Sequence, residues 1–169
     1  MILNYSETEN WILNRLPFYQ SQGSKAYKPG LDKIRSFVDQ LNLGFQDIKF
    51  VHIGGTNGKG STCRYLSSII QESGYKVGLF TSPHFFDFRE RITVNNKKIE
   101  KNFVSKFIVN NRELIEKLNL SFFELSFGMS LSYYFEKNVD YAIIEVGLGG
   151  RLDATNIINP YLSAITNIS

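Results

Sequence analysis

Apolar positions recur along this chain at helical spacing in some stretches and in short unbroken runs in others, and the alternation of the two predicts its elements. Ser6 followed three residues later by Glu9 reads as a capping box; Trp11, Ile12 and Leu16 then fall near one helical face before Pro17 stops the run. Residues 21–30 read as loop. Leu31, Ile34, Val38 and Leu41 predict a second helix, which Gly44 ends. The apolar run at 50–53 is a strand. After it, Thr62, Leu66, Ile69 and Ser73 mark one face of a helix, and Gly74 is placed to end that helix in a left-handed conformation. Val77 to Phe80 reads as a second strand, and Asn95-Asn96 as the turn of a small hairpin joining residues 92–94 to 97–99. Phe103, Phe107, Leu114 and Leu118 repeat on a long helix with a polar opposite face. Phe123, Phe127, Leu131 and Phe135 mark a more apolar one, buried on more than one side. Residues 141–146 and 161–166 are apolar strands. Such strands separated by helices predict an α/β fold, a mostly parallel sheet covered by helices on both faces, with a helical lead-in at about residues 1–45.

One connection in this scheme carries chemistry. Gly54, Gly55, Thr56, Asn57, Gly58, Lys59, Gly60, Ser61 and Thr62 lie between the first strand and its helix and read as a phosphate-binding loop. Glycines let successive N–H groups converge on an anion without a Cβ in the way, Lys59 adds a mobile positive charge, and the unpaired amides of the following helix add donors. Ser61 or Thr62 can supply a hydroxyl to a phosphate-bound Mg²⁺. The usual nucleotide loop has Ser or Thr directly after Gly-Lys, whereas here Gly60 intervenes. The alternative is a glycine-rich turn that only connects strand to helix, at an ordering cost without evident purpose.

Two further segments belong to the rim where parallel strands deliver ligand-binding loops. Thr81-Ser82-Pro83-His84 follows the second strand, with Arg89, Glu90 and Arg91 beyond it. His84 either touches a substrate or is simply exposed, and His52, within a strand, reads as a hydrogen-bonded core-edge residue. Glu145 interrupts an apolar strand, where a carboxylate is expensive unless it is paired or faces a metal. It can reach Mg²⁺, or else bridge to Lys59 or Arg151. Gly147, Gly149 and Gly150 clear space beside it, and Arg151, Asp153 and Asn156 offer polar groups.

Composition narrows the function classes. The 169 residues suffice for one domain with a core, and 43% apolar with 21% charged residues is ordinary for a globular protein. A net charge of +3 without a dense Lys/Arg tract does not argue for a nucleic acid partner. No run approaches eighteen apolar residues and no basic region precedes an apolar one near Met1, so neither membrane insertion nor secretion is expected. The lone Cys63 cannot form an internal disulfide, which fits a reducing, cytoplasmic setting, and its place on the helix after the loop suggests packing.

The segments 52–62, 81–84, 90–92 and 145–156, taken in order, resemble folylpolyglutamate synthase and dihydrofolate synthase, of the Mur ligase superfamily. Gly60, awkward for the general loop, is what that family shows, while Phe85 stands where its leucine is usual. The resemblance implies the ATP-binding part of a Mur-type ligase, with ATP and Mg²⁺ as cofactors and folate or dihydropteroate and L-glutamate as substrates, joined through an acyl phosphate. It implies Gly55 through Thr62 as nucleotide ligands, Lys59 and Glu145 as catalytic residues and Ser61 and Glu145 as metal ligands. It further implies Ser82, Pro83, His84 and Arg91 at the substrate, and a monomeric full-length enzyme. Family members are well over twice this length, so the resemblance also implies a truncated N-terminal portion, without the glutamate-binding domain and inactive alone. A P-loop NTPase or kinase unrelated to folate, and a non-catalytic nucleotide-binding fragment, are the rival readings.

Overall fold

The computed structural model describes residues 4–16, 30–43 and 47–169. Helix α1 (Tyr5–Arg15) and α2 (Asp32–Leu41) precede β1 (Lys49–Gly54), the loop, and α3 (Lys59–Glu72). Then follow β2 (Val77–Phe80), a 3₁₀ turn at Phe88–Arg91, the hairpin β3 (Ile92–Val94) and β4 (Lys97–Lys98), α4 (Lys101–Leu118), α5 (Phe122–Glu136), β5 (Tyr141–Glu145) and β6 (Leu162–Ile165). Among the described residues the six strands form one sheet in the order β4-β3-β2-β5-β1-β6. β2, β5, β1 and β6 are parallel; β3 runs antiparallel to β2. Ile53 stands opposite Glu145 and Phe80 opposite Ile144, so the loops after β1, β2 and β5 leave the sheet at one rim.

The pleat sorts side chains between two cores. Phe50, Phe80, Ala142 and Ile144 face the larger one, with Phe37 of α2, Ile108 of α4 and Phe127 and Tyr134 of α5. Val51, Ile53, Leu79 and Ile143 face the smaller one, with Cys63, Leu66 and Ile70 of α3. Alternation along β5 therefore turns Glu145 to the α3 side, as it does Ile143. Two glycines let bulky rings close the larger core: a Cβ on Gly78 would lie 2.7 Å from the Tyr134 ring, and one on Gly128 2.6 Å from that of Phe37.

Several expectations are corrected. The first helix is capped by Asn4 and not Ser6. Asn4 Oδ1 accepts from the Glu7 amide at 2.9 Å and Glu7 Oε2 from the Asn4 amide at 3.0 Å, which starts the helix earlier and leaves Glu9 to accept from the Tyr5 hydroxyl. α2 ends at Asn42, left-handed at φ 50°; Pro17, residues 21–29 and Gly44 lie outside the described residues. The sheet-facing stripe of α3 is the buried Cys63 and Ser67 with the half-buried Leu66 and Ile70, and Ile69 is 64% exposed on another side of the helix. β6 is not covered on both faces: Leu162 and Ile165 are exposed. Gly74 (φ 89°) does end α3, and Asn95 and Asn96 both hold the positive φ that a two-residue hairpin turn requires. Among the described residues no helix is long and apolar enough to cross a membrane.

Candidate functional site

The loop after β1 is shaped by its own lysine and by a neighbouring strand. Lys59 Nζ donates to the carbonyls of Gly55 at 2.8 Å and Thr56 at 3.2 Å, curling the loop around its side chain. Gly58 (φ 81°) turns the chain into α3, where the Thr62 amide already donates to the Gly58 carbonyl at 2.9 Å. The amides of residues 59–61 are thus first-turn donors for which a helix has no acceptor of its own. Ser61 is exposed on that turn. From the other side, Asn167 accepts from the Thr56 amide through its carbonyl and from the Asn57 amide through Oδ1, each at 2.8 Å, and Thr166 Oγ1 donates to the Asn57 carbonyl at 2.7 Å. Sequence reasoning missed both residues; the available signal was a polar Thr-Asn pair directly after an apolar strand.

Glu145 is buried, 5% exposed, and its carboxylate lies where a Cβ on Gly60 would be 3.5 Å away. The inserted glycine therefore brings the first turn of α3 against this carboxylate. Glu145 Oε2 accepts the Ser82 amide at 2.9 Å. No ion pair joins Glu145 to Lys59 or Arg151, since the ion pairs among the described residues lie elsewhere. Burial raises its carboxyl above the ordinary range, opposed by the Ser82 amide and by the charges of Lys59, Arg64 and Arg91.

Arg91 is the buried cation of the site, 3% exposed. Its Nε donates to His84 Nδ1 at 2.8 Å, and its guanidinium lies 5.0 Å from the centre of the Phe122 ring. A guanidinium can only donate, so His84 Nδ1 is the acceptor and the proton of the neutral ring is on Nε2. Burial, reinforced by Arg91, lowers the His84 pKa and keeps it neutral. Burial also pulls the Arg91 guanidinium down to about 10, with Glu145 acting against it. Glu90 accepts the amides of Phe85 at 2.8 Å and Asp87 at 3.2 Å and so fixes the turn that carries His84. Ser82 and Pro83 are joined by a cis peptide bond. The structure therefore gathers Ser82, His84, Arg91 and Glu145 around one rim, beside Gly60 and Ser61.

The segment after β5 behaves differently from its expectation. Asp153 is buried and accepts from the Leu148 amide at 2.8 Å, the Thr155 amide at 3.0 Å and the Thr155 hydroxyl, so it serves the loop itself. With its proton on Asp153, the Thr155 oxygen accepts from His52 Nε2 at 2.9 Å, which ties this loop back to β1. Burial lowers the His52 pKa, with Asp153 acting against it. His52 is thus the hydrogen-bonded core-edge residue that was expected. Asn156 Nδ2 is taken by the Arg151 carbonyl. Cys63 is fully buried, its thiol pushed up to about 12 chiefly by burial, in keeping with packing.

A metal at this rim would be held on sparse terms. Among the described residues no group of three or more His, Cys, Asp or Glu side chains gathers in reach of one ion. One carboxylate and one hydroxyl are nevertheless the donor set that suits Mg²⁺, which keeps water and takes its remaining ligands from phosphate oxygens.

No family model matches the chain. It is 39% identical over 172 residues to a probable bifunctional folylpolyglutamate synthase/dihydropteroate synthase of Haloferax volcanii, covering 99% of this chain and 20% of that protein. It is 36% identical over 175 residues to the dihydrofolate synthase/folylpolyglutamate synthase of Bacillus subtilis, covering 99% of this chain and 39% of that one. Among solved structures, Thermotoga maritima folylpolyglutamate synthase superposes with a TM-score of 0.85 at 38% identity, over 98% of this chain and 38% of its own. Escherichia coli FolC in complex with DHPP and ADP gives 0.86 at 30% identity, over 99% and 39%. A bifunctional folylpolyglutamate synthase/dihydrofolate synthase with Mn, AMPPNP and L-glutamate bound gives 0.84 at 28% identity, over 100% and 40%. The chain thus spans between a fifth and two-fifths of the length of these curated relatives.

Proposed function

We propose that this chain, related in sequence and fold to the folylpolyglutamate and dihydrofolate synthases, is the nucleotide-binding part of an ATP- and Mg²⁺-dependent ligase that joins L-glutamate to folate or dihydropteroate. The observation that carries the reading is the buried Glu145 carboxylate, set against Gly60 at the start of α3 and hydrogen-bonded to the loop that holds His84 and Arg91. Nucleotide loop and substrate-side loop thereby share one charged group. A P-loop NTPase or kinase unrelated to folate accounts for the loop and leaves the 81–91 and 145–156 segments without a role.

In the reaction, a carboxylate oxygen of the pteridine substrate attacks the γ-phosphorus of ATP, the bond to the β–γ bridging oxygen breaks, and ADP leaves. The glutamate amine then attacks the acyl carbon, the carbon–oxygen bond to phosphate breaks, and an amide, inorganic phosphate and a proton result. Lys59 moves from the Gly55 and Thr56 carbonyls to phosphate oxygens, and the first amides of α3 converge on the same charge. Ser61 and Glu145 would hold Mg²⁺, which would supply neutralisation of charge on the transferred phosphoryl group. Ser82, Pro83, His84 and Arg91 line the substrate side, where the neutral His84 carries its proton on Nε2. The test is calorimetry of ATP with and without Mg²⁺, followed by dihydropteroate or tetrahydrofolate on the nucleotide-loaded protein. Mg²⁺-dependent ATP binding and binding of a pteridine substrate are expected. Absence of the first overturns the nucleotide role, and ATP binding without the second reduces the chain to a plain nucleotide binder.

A further inference from the structure

We infer that Thr166 and Asn167, at the end of β6, are positioning residues of the nucleotide loop, and that they divide its amides into two sets with different tasks. Three observations meet here. Asn167 takes the Thr56 and Asn57 amides on its carbonyl and side-chain oxygens, both at 2.8 Å. The Thr166 hydroxyl reaches the Asn57 carbonyl at 2.7 Å, while its amide donates to the Gly54 carbonyl at 3.0 Å, continuing the sheet one residue past the strand. Gly55 (φ 129°) has no room for a Cβ, which would collide with the Thr166 hydroxyl and come within 3.0 Å of the Asn167 carbonyl. The glycine at 55 is thus required by β6, and its neighbours' amides are spent on β6.

The consequence for ligand binding follows from donor geometry. Amides already held by Asn167 do not turn to an anion, so an oxyanion at this loop is held by the donors from Gly58 to Ser61 and by Lys59, the group that leads into α3. β6 fixes the first half of the loop and leaves the second half its donors. The same clamp holds the Gly55 and Thr56 carbonyls in place for the Lys59 ammonium. The inference rests on the nucleotide-binding role proposed above, and its experiment separates the two.

The test has two arms on the 169-residue chain. In the first, amide hydrogen exchange is followed by NMR in the unliganded protein: Thr56 and Asn57 are expected to be protected, and Asn167→Ala to abolish that protection while the β1 and β5 amides remain protected. In the second, Mg²⁺-ATP is titrated into Thr166→Val, Thr166→Ser and Asn167→Ala variants of unchanged melting temperature. Thr166→Val and Asn167→Ala are expected to bind about 5- to 20-fold more weakly, and Thr166→Ser, which keeps the hydroxyl, to bind like the parent. A merely structural role would not separate Ser from Val at matched stability. Unprotected Thr56 and Asn57 amides, or wild-type affinity in both weakened variants, overturns the inference. Failure of the parent chain to bind ATP removes the proposed function instead, and the exchange arm still decides whether the clamp exists.

Discussion

Lys59 donates to two carbonyls of its own loop, and bonds to these neutral acceptors are weaker than those to the anionic phosphate oxygens, which add a second charge. Lys59→Ala is therefore expected to weaken ATP binding by about ten- to a hundredfold, the worth of one hydrogen bond to a charged group, and to leave adenosine binding unchanged. Calorimetry with both ligands checks this, and equal losses would make the lysine structural. Glu145 supports a different prediction because its burial is unfavourable to its charge. A carboxyl raised in the folded state adds stability below its unfolded pKa and loses that advantage as pH rises through its folded pKa. Above that folded pKa the ionised Glu145 consequently costs stability. Glu145→Gln, which keeps the acceptor for the Ser82 amide, should melt no lower than the parent, with a difference in its favour that grows from acid to neutral pH. It should also lose the gain in ATP affinity that Mg²⁺ brings. Melting curves across pH and ATP titrations at several Mg²⁺ levels report both, and unchanged metal dependence in the folded variant would remove Glu145 from the metal site.

At the scale of elements, the readable positions were those where local chemistry and packing agree. The apolar strands, the polar-faced α4, the asparagine hairpin and the left-handed stop at Gly74 follow from period and backbone preference. Where two local signals compete, tertiary contact decides. Asn4–Glu7 and Ser6–Glu9 both have capping-box spacing, and the earlier pair wins. On α3, Ile69 sits at helical spacing yet faces solvent, because the sheet side is taken by the stripe of Cys63, Leu66 and Ile70. Glu145 was legible as a candidate site residue through its misfit in an apolar strand, whereas the contacts of Thr166 and Asn167 with the loop were not, because strand order is invisible in a linear pattern. Gly78 illustrates the same limit. Its need for no side chain comes from Tyr134, more than fifty residues away on α5, whose aromatic ring would lie 2.7 Å from a new Cβ. Gly78→Ala is expected to destabilise by ~1–3 kcal/mol through overpacking. Gly54→Ala, whose Cβ would meet Val146 at an ordinary 3.8 Å, provides the contrast in the same denaturation experiment. Equal effects at the two positions would show that the Tyr134 ring moves aside freely.

The whole molecule assembles its polar rim from sequence-distant pieces. β1, β2 and β5 end together, and the loops that follow bring residues 55–61, 82–91 and 145 into one neighbourhood, the shared rim expected of motifs that each follow a parallel strand. Helices α2, α4 and α5 pack their large aromatic core on one face of the sheet, and α3 packs on the other. In the proposed function these 169 residues supply a nucleotide loop, a carboxylate and a substrate-side turn. They also present apolar side chains on β6, with Leu162 and Ile165 exposed next to the loop strand. Amide ligation requires ATP, an acceptor carboxylate and an amine held together with water excluded, and much of the rate comes from that positioning. In the described structure Ser61 lies exposed to water on the first turn of α3, beside Lys59. Assayed by themselves, these 169 residues are therefore expected to bind Mg²⁺-ATP and to show no glutamate-dependent phosphate release above background. An exposed strand edge and apolar surface also lead us to expect self-association at high concentration. The measurement is phosphate release from ATP with dihydropteroate or tetrahydrofolate, with and without L-glutamate, on protein shown to be monodisperse by light scattering. Glutamate-dependent turnover under those conditions would mean that the rim alone positions all three reactants, and that closure by a second wall is not needed for this chemistry.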